Sequence, residues 1–261
     1  MAGSSIRKLA KSAIVLLFGR KREPHKILRG LASGYRICVS PSEHLGYLLG
    51  TAEPHLQKII EEHVRLGDIV YDVGANIGYV SLSLAKRVGA SGKVIAFEPV
   101  PQSSARLRDN IQMNELTNVQ VLEIAASDRL GKATMRVTEN LSTASLVWHR
   151  NDPSANELEI KTIAIDELID SGLLTSPSFV KIDVEGAEDK VLLGMRQTLA
   201  AALPVLFVEC SEAGRETAWH LLRELGYQCQ SAITRKSVNA LEEYRHSDFL
   251  WLPPRRPRTA N

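Results

Sequence analysis

The stretch from Ile69 to Tyr79 constrains the fold more than any other part of the chain. It begins as a short apolar run rich in β-branched residues, which predicts a buried strand. It then turns through Asp72, Gly74, Asn76 and Gly78 before a pattern that predicts a helix. The two glycines let the backbone turn sharply and approach a ligand, because a Cβ there would collide with it. Strand, glycine turn and helix form the entry unit of a doubly wound nucleotide-binding fold.

A second apolar strand follows, from Lys93 to Glu98, and ends in a carboxylate twenty residues after Gly78. At this spacing an acid can accept hydrogen bonds from the two hydroxyls of a ribose. The alternative is a glycine-rich turn with an unrelated surface glutamate, and the paired spacing disfavours it. Glu98 is therefore predicted to bind a nucleoside.

The bulk composition indicates an ordinary globular chain long enough for one large α/β domain. It has 261 residues, 44% hydrophobic and 24% charged, with a net charge of +2. So small a net charge does not indicate a nucleic-acid partner. Cys38, Cys210 and Cys229 show no CxxC pairing, which predicts neither a zinc site nor a disulfide framework. Free thiols are typical of a reducing, cytoplasmic compartment.

Three segments are expected along the chain: a basic N-terminal leader at 1–45, a main domain at 46–252 and a disordered tail at 253–261, rich in proline and arginine. The apolar run Ala13–Phe18 is too short to span a bilayer. A leader helix that packs on the domain is favoured over a basic amphipathic helix on a membrane surface. Weak peripheral membrane contact through the leader stays as the alternative.

Strands and helices alternate through the main domain, which predicts a parallel sheet covered on both faces. Ligands of such sheets bind at the carboxyl ends of the strands. Residues 132–163 are expected to be β-rich around a polar loop, and two short strands are expected to close the domain. The central strands are predicted at 69–73, 93–98, 119–125, 178–183 and 204–209, and the helices at 78–88, 103–113, 187–199 and 215–225.

Acidic residues recur where these strands end. Asp72, Glu98, Asp183 and Glu209 each lie near the carboxyl end of a strand, and Asp128 follows the third strand. Buried charges must be paired or bound to a ligand, so this repetition predicts a ligand cleft along one edge of the sheet.

A polar face on the fourth strand needs a partner. Alternation along that strand places Lys181 and Asp183 on one face. Pairing of Lys181 with a neighbouring acid is the alternative to a direct role in catalysis. Glu185 and Glu188 follow within one turn, and Glu188 is interpreted first as a helix-start acid.

Three motifs, Asp72–Tyr79, Phe97–Pro99 and Ile182–Glu188, together resemble the FkbM-type family of S-adenosylmethionine-dependent methyltransferases. The resemblance covers roughly Glu53 to Glu209. The segment Tyr47–Pro54 is also similar to the family, although Ala52 stands where an aromatic residue is common. The leader and the tail lie outside the resemblance.

The resemblance implies a class I, Rossmann-like methyltransferase fold. Its mostly parallel sheet would have seven strands with the last antiparallel, and helices on both faces. The turn from Asp72 to Gly78 would hold the amino-acid end of S-adenosylmethionine, and Glu98 the ribose. Ser127 and Asp128 would lie by the adenine. Glu53, before the first strand, is assigned to the cofactor site as well.

The resemblance also implies methylation of a hydroxyl oxygen on a sugar, glycolipid or secondary metabolite, so the partner is a small-molecule or carbohydrate acceptor. The cofactor carries an activated methyl group, so the protein mainly aligns the acceptor and removes a proton. Asp183, Glu185, Glu209 and Lys181 are the catalytic candidates. A carboxylate cluster that holds Mg²⁺ is the alternative. His149, in the polar loop, is a weaker candidate for the base.

Two other functions stay open at this stage. A nicotinamide-dependent oxidoreductase would also use Glu98, but the turn lacks the G-x-G-x-x-G spacing and no second substrate domain follows. A non-catalytic scaffold that only binds S-adenosylmethionine would not need acids at both halves of the cleft.

Overall fold

A computed structural model of the protein describes residues 21–137, 156–209, 211–243 and 248–254. The predicted leader helix, His149, Cys210 and most of the tail lie outside these residues. Within the described part of the chain, no helix is long and apolar enough to cross a membrane.

Strands and helices alternate through the centre of the chain, as the sequence predicted. The strands are β1 Glu23–Lys26, β2 Arg36–Val39, β3 Ile69–Val73, β4 Lys93–Phe97, β5 Val119–Leu122, β6 Ala125–Ala126, β7 Gly131–Val137, β8 Asn156–Ile163, β9 Phe179–Ile182, β10 Val205–Glu209, β11 Gln228–Ser231, β12 Ser237–Val238 and β13 Asp248–Leu252. The helices are α1 Leu45–Leu49, α2 Pro54–His63, α3 Tyr79–Val88, α4 Pro101–Met113, α5 Ile165–Asp170, α6 Glu188–Leu193, α7 Arg196–Ala201 and α8 Glu212–Glu224, with a 3₁₀ turn at Leu241–Glu243.

The central sheet has the strand order β12-β11-β13-β10-β9-β3-β4-β5. The pairs from β10 to β5 are parallel, whereas the last strand, β13, is antiparallel to both of its neighbours. From β3 the chain builds outward to β4 and β5, and then returns to the other side of β3 with β9 and β10. The strand order therefore reverses between β3 and β9, which is where ligands bind in open α/β sheets.

Helices cover both faces of this sheet. Alternate residues of each strand join one of two cores: Val70 and Phe179 pack with α2 and α3, whereas Tyr71 and Val180 pack with the helices from α5 to α8. All four side chains are fully buried. One strand can serve both cores because its successive side chains point to opposite faces of the sheet.

A β-hairpin of β1 and β2 packs against α4. The amide of Cys38 donates to Asn110 Oδ1 at 2.8 Å, and the Asn110 amide group donates in turn to the carbonyl of Ile77 at 2.8 Å. One buried asparagine thus joins the hairpin to the glycine turn. This hairpin lies within the segment 1–45 that was predicted as a basic leader, and its two four-residue strands give little periodic signal in the sequence.

The α/β fold with a mostly parallel sheet and an antiparallel last strand is confirmed, but the predicted strand number is wrong. The described residues form eight strands in the central sheet, not seven. The extra strand is β12, a two-residue edge that pairs with β11 through Cys229 and Gln230. A strand this short is fixed by its neighbour and not by a sequence pattern.

The third predicted strand is also wrong at its end. β5 stops at Leu122, opposite the last residue of β4, and Ala125–Ala126 pairs instead with β8 in a separate sheet of order β6-β8-β7. The pairing of β5 with β4 ends at Leu122. The backbone groups of Ala125 and Ala126 therefore pair with β8 and not with the central sheet. The fourth helix begins at Pro101 and not at Ser103, since proline is well suited to a first helical position.

The single helix expected over 187–199 is two helices, α6 and α7, separated at Gly194. An ideal Cβ on Gly194 would stand 1.8 Å from the carbonyl oxygen of Ser127, so the chain passes very close to another segment here. The Asp166 carboxylate accepts from the amides of Gln197 and Thr198 at 2.8 and 2.9 Å. A carboxylate from α5 thus caps the first turn of α7. The apolar spacing in the sequence did not predict this cap.

Candidate active site

The glycine turn between β3 and α3 is held by the ends of the two neighbouring strands. The amides of Gly74 and Ala75 both donate to the carbonyl of Phe97 at 3.0 Å. Gly74 and Gly78 have φ angles of 80° and 93°. An ideal Cβ on Gly74 would stand 1.8 Å from the carbonyl oxygen of Asp183. Only glycine fits here, as the sequence predicted.

A pocket of about 710 Å³ opens on the β4 side of this turn. We call it the β4 pocket; its lining includes Gly74, Asn76, Phe97, Glu98, Ser103, Ile124, Ala125, Ala126, Met135, Ile160, Asp183 and Glu185. The lining combines apolar side chains, such as Ala125, Met135 and Ile160, with the carboxylates of Glu98, Asp183 and Glu185. This combination suits a flat aromatic ring joined to a polyhydroxylated group.

Glu98 is fixed at the edge of the β4 pocket. Its side chain is only 6% exposed, and its two oxygens accept from the amides of Asn76 at 2.8 Å and Val100 at 2.9 Å. Burial raises the pKa of Glu98 to about 7, against the lowering effect of these two hydrogen bonds. Each oxygen keeps a second lone pair for a ligand hydroxyl.

Ser127 and Asp128 lie just beyond the β4 pocket. The preceding residues, Ala125 and Ala126, line it, whereas Ser127 and Asp128 are not among its lining residues. The Ser127 hydroxyl donates to Asp128 Oδ1 at 3.1 Å, and the Ser127 amide to the carbonyl of Ile163 at 2.8 Å. The structure thus places this pair beside the apolar side chains of this lining.

Lys181 joins the two strands at which the order of the sheet reverses. Asp72 and Lys181 are register partners on β3 and β9. The Lys181 ammonium lies 3.3 Å from Asp72 Oδ1 and 3.3 Å from Asp183 Oδ2, and donates to the carbonyl of Gly74 at 2.7 Å. Burial lowers the pKa of Lys181, but Asp183 and Asp72 outweigh it and raise the pKa. The pairing alternative is therefore the observed arrangement.

Asp72 lies behind the turn. Its side chain is 0% exposed, and it accepts from the Ser81 hydroxyl of α3 at 2.5 Å as well as facing Lys181. The Lys181 ammonium balances the charge of this buried carboxylate, although Asp72 Oδ1 accepts no hydrogen bond. Asp72, which was predicted to help hold the cofactor, is not among the residues that line either side of the turn. Its contacts fix the turn and α3.

A second pocket, of about 790 Å³, opens on the β10 side of the turn. We call it the β10 pocket; its lining includes Tyr47, Glu53, Asn76, Ile77, Gly78, Tyr79, Lys181, Asp183, Glu185, Phe207 and Glu209. The two pockets share Gly74, Asn76, Asp183 and Glu185, so they meet at the turn. The structure therefore brings together all four predicted catalytic candidates and Glu53.

Glu209 has a strongly perturbed environment within the β10 pocket. Burial raises its pKa to about 8, together with the charges of Asp183, Asp248, Glu53 and Glu185. Asp248 is the register partner of Glu209 on β13. Burial, Asp183 and Asp248 also raise the pKa of Glu53. Carboxyl groups whose pKa values lie near neutrality, in a cleft, are typical of sites that transfer protons.

One family description fits the segment that carries the glycine turn and most of the residues that line the two pockets. The family described as methyltransferase FkbM domain matches residues 72–229, which is more than half of the chain. The chain belongs to this methyltransferase family. The resemblance predicted from the three sequence motifs is confirmed.

Curated relatives align with about half of the chain. The hexuronic acid methyltransferase AglP of Haloferax volcanii is 31% identical, over 56% of this chain and 58% of that protein. The 2-O-methyltransferase NoeI of Sinorhizobium fredii is 27% identical, over 50% and 58%. The 31-O-demethyl-FK506 methyltransferase FkbM of Streptomyces tacrolimicus is 26% identical, over 51% and 61%. The chain thus spans less than two thirds of the length of these relatives.

Among solved structures, the methyltransferase FkbM from Methylobacillus flagellatus is 17% identical to the chain. The superposition covers 96% of this chain and 60% of that one, with a TM-score of 0.47.

The β4 pocket fits the nucleoside end of S-adenosylmethionine in its chemistry. Its apolar side chains, which include Ala125, Met135 and Ile160, suit an adenine ring. Glu98 offers fixed acceptors for the ribose hydroxyls. For a metal the fit is poorer: within the described ranges, no group of three or more His, Cys, Asp or Glu residues could hold an ion.

The loops around the β10 pocket carry backbone strain. Glu53, Asn76 and Glu185 have φ angles of 49°, 49° and 55°, a region that side chains rarely adopt. Strained residues often cluster where function requires a particular geometry. This strain was not predicted from the sequence.

Two tyrosines were missed as site residues. Tyr47 and Tyr79 line the β10 pocket and stack with their centroids 4.4 Å apart and their planes at 6°. Gln57 donates to the Tyr79 hydroxyl at 3.3 Å and to the carbonyl of Ala52 at 2.7 Å. Tyr47 belongs to the segment that resembles the family, but only folding brings it against Tyr79.

Glu188 holds the two acid-bearing loops together. It is 1% exposed, and accepts from the amide of Gly186 at 2.8 Å and from the Ser211 hydroxyl at 3.1 Å. Gly186 follows Glu185, and Ser211 follows β10. Glu188 lies in the first turn of α6, as predicted, but its contacts are to both loops.

Proposed function

We propose that this protein is an S-adenosylmethionine-dependent O-methyltransferase that acts on a hydroxyl group of a sugar, glycolipid or secondary metabolite. The observation that carries the proposal is the family match over residues 72–229, which includes the glycine turn and Glu98. The names of the relatives support the acceptor class, since they describe a hexuronic acid methyltransferase and a 2-O-methyltransferase.

In this proposal each pocket has one task. S-adenosylmethionine, when bound, supplies an electrophilic methyl group. The β4 pocket holds its nucleoside, with the ribose on Glu98 and with Ser127 and Asp128 at the adenine end. The turn from Gly74 to Gly78 holds the amino-acid end, and the β10 pocket holds the acceptor. The placement of the two pockets on either side of the turn supports this division.

We propose that Glu209 removes the proton from the acceptor hydroxyl. Its raised pKa, about 8, supports this choice, because a base works best when its pKa is near the working pH. Asp183 is held 3.3 Å from the Lys181 ammonium, and this fixed position supports a role in orienting the acceptor. Glu185 is the second candidate for the base.

Binding of S-adenosylhomocysteine, measured by calorimetry with NAD as the comparison ligand, tests the cofactor. Micromolar binding of the first and none of the second would support a methyltransferase. Binding of NAD instead would favour an oxidoreductase, and binding of neither would contradict the proposal. Turnover with and without EDTA then tests the Mg²⁺ hypothesis, which the proposed chemistry does not need.

The domain limits stay proposals as well: an N-terminal extension at 1–45, a methyltransferase domain at 46–252 and a tail at 253–261. Peripheral membrane contact by the extension and a cytoplasmic location remain predictions from the sequence.

A further inference from the structure

Arg106 lies on the face of α4 that packs against the glycine turn. Ser103, three residues before it, lines the β4 pocket. Asn110, four residues after it, donates to the carbonyl of Ile77 at 2.8 Å. Residues three and four apart share one face of a helix, so Arg106 stands between these two contacts. The guanidinium extends from this face toward Cys38 on β2, and its charge acts on Tyr47, which lines the β10 pocket.

The guanidinium of Arg106 is poorly satisfied within the protein. Its Nε is buried and has no hydrogen-bond partner, and its Nη2 makes only a long contact, 3.5 Å, with the carbonyl of Cys38. Within the described residues, no carboxylate forms an ion pair with it at 4.0 Å or less. Burial and the nearby charge of Arg22 lower its pKa. A half-buried cation with unused donors is costly unless an anion completes the site.

Two further donors surround Arg106. Arg22 and His44 both interact with it electrostatically, and burial followed by the charge of Arg106 lowers the pKa of His44. The His44 ring lies 5.2 Å from the ring of Tyr47, which lines the β10 pocket. Glu43, exposed and 3.9 Å from His44, is the acid closest to this group in the ion pairs described.

We propose that Arg106, with Arg22 and His44, binds a carboxylate group of a molecule in the active site. A planar guanidinium with free donors matches a carboxylate with two parallel hydrogen bonds. The carboxylate is that of the amino-acid end of the cofactor, which the neighbouring turn would hold, or that of an acidic sugar acceptor. The proposal rests on the proposed function, because either molecule occupies the site only in a methyltransferase.

A purely structural role for Arg106 is the competing explanation, since it contacts the carbonyl of Cys38 on β2. The substitution Arg106→Gln removes the charge but keeps a donor for that carbonyl. Arg108→Gln is a matched control, because Arg108 lies on the same helix and is exposed, paired with Glu123 at 2.8 Å. Melting temperatures of both variants report any loss of packing.

Calorimetric titration with two nucleosides tests whether the bound carboxylate belongs to the cofactor. S-adenosylhomocysteine carries the carboxylate, and 5′-methylthioadenosine lacks the whole amino-acid end. We expect Arg106→Gln to weaken the first by about tenfold or more, the loss of one charge-assisted contact, and to leave the second unchanged. Arg106→Lys, which keeps the charge but not the planar fork, is expected to lose less and also serves if the glutamine variant is unstable.

Titration of the S-adenosylhomocysteine complex with D-glucuronate and D-glucose tests whether the bound carboxylate belongs to the acceptor. Binding of glucuronate alone, lost in Arg106→Gln and kept in Arg108→Gln, would assign the carboxylate to the acceptor. If Arg106→Gln binds all four compounds as Arg108→Gln does, the carboxylate subsite is wrong while the methyltransferase proposal stands. If the unaltered protein binds neither nucleoside, the proposed function fails and the subsite fails with it.

Discussion

At the residue scale, the site depends on acids whose protonation is governed by burial and by one another. Glu98 keeps two backbone donors, whereas Glu209 faces Asp183 and Asp248. Lys181 forms ion pairs with Asp72 and Asp183, and its charge also opposes the raised pKa values of Glu53 and Glu98. The two glutamates therefore titrate within the range in which enzymes work, and their roles are open to direct test.

Replacement of Glu98 tests the ribose assignment. Glu98→Ala is expected to weaken S-adenosylhomocysteine binding by at least about tenfold, because two ligand hydroxyls lose a charged acceptor. Calorimetry measures this change directly. Since the pKa of Glu98 is about 7, the affinity of the unaltered protein should also rise as the pH passes from 6 to 8 and the carboxylate ionises.

The matched variant Glu98→Gln keeps the size of the side chain and one carbonyl oxygen but does not titrate. It should bind with intermediate affinity and with little dependence on pH. An affinity for S-adenosylhomocysteine that is the same in all three proteins would remove Glu98 from the ribose site.

Replacement of Glu209 tests the proposed base. Glu209→Gln should cut turnover by about a hundredfold and leave the affinity for S-adenosylhomocysteine unchanged, because only proton removal is lost. Turnover is measured as S-adenosylhomocysteine formed with an acceptor found by screening sugars. In the unaltered protein the rate should rise with pH up to about 8, where the base becomes ionised. Near-normal turnover of the variant would move the role to Glu185 or Asp183.

At the scale of the elements, the site is built where strand ends and turns approach one another without intervening side chains. Gly74 passes the end of β9, and Gly194 passes the segment after β6. Glu188 and Asp166 then tie the loops and helices together through their carboxylates. The positions of the pockets depend on these close approaches.

A pair of glycine substitutions separates close approach from backbone conformation. Gly74 and Gly172 have similar φ angles, 80° and 74°, but a Cβ on Gly74 would meet the carbonyl of Asp183 at 1.8 Å, whereas Gly172 has nothing within 4 Å. Gly172→Ala should lower the free energy of unfolding by about 1 kcal/mol, and Gly74→Ala by about 3 kcal/mol or more. Urea denaturation of both variants measures the difference. Equal losses would mean that the turn has room for a side chain.

At the scale of the whole molecule, the reversal of strand order between β3 and β9 places two pockets on either side of one turn. The hairpin of β1 and β2 also contributes to the site. Asn110 joins the hairpin to the glycine turn, and Tyr47, which comes after the hairpin in the chain, lines the β10 pocket. Burial and mutual repulsion of the acids at the carboxyl edge of the sheet lower the free energy of unfolding of the ligand-free protein. This destabilisation should depend on pH.

The contribution of Glu98 and Glu209 to the free energy of unfolding of the ligand-free protein should fall as the pH rises, whereas His44 and His63, whose pKa values are lowered chiefly by burial from 6.5, act in the opposite sense in the acid part of the range. Folding raises the pKa values of Glu98 and Glu209 from 4.5 to about 7 and about 8. Below pH 4.5 both groups are protonated in the folded and unfolded states; between about pH 4.5 and pH 8 the unfolded state ionises first, which favours unfolding. Thermal melts across this window measure the effect, and Glu209→Gln should make the decline shallower. A decline equally steep in the variant would contradict the raised pKa of Glu209.

Local pattern was enough to predict the strand, turn and helix from Ile69 to Val88, the parallel α/β sheet and the placement of Glu98. Apolar periodicity and glycine chemistry depend on neighbours in the chain, and parallel strands bring their carboxyl ends to one edge wherever they pair. For the same reason Asp183 and Glu209 were predicted to lie together, and they line the β10 pocket.

Contacts between distant segments decided the rest. The division between α6 and α7, the ion pair of Lys181 with Asp72 and the stack of Tyr47 on Tyr79 all join residues far apart in the chain. The raised pKa values belong to this class too, because burial and the approach of other charges set them. The sequence by itself thus determined that carboxylates follow several strands at one edge of the sheet, because strand pattern and residue type are local properties. The tertiary structure alone decided which of them line the pockets and how each one is paired, buried and charged, because those properties depend on distant neighbours.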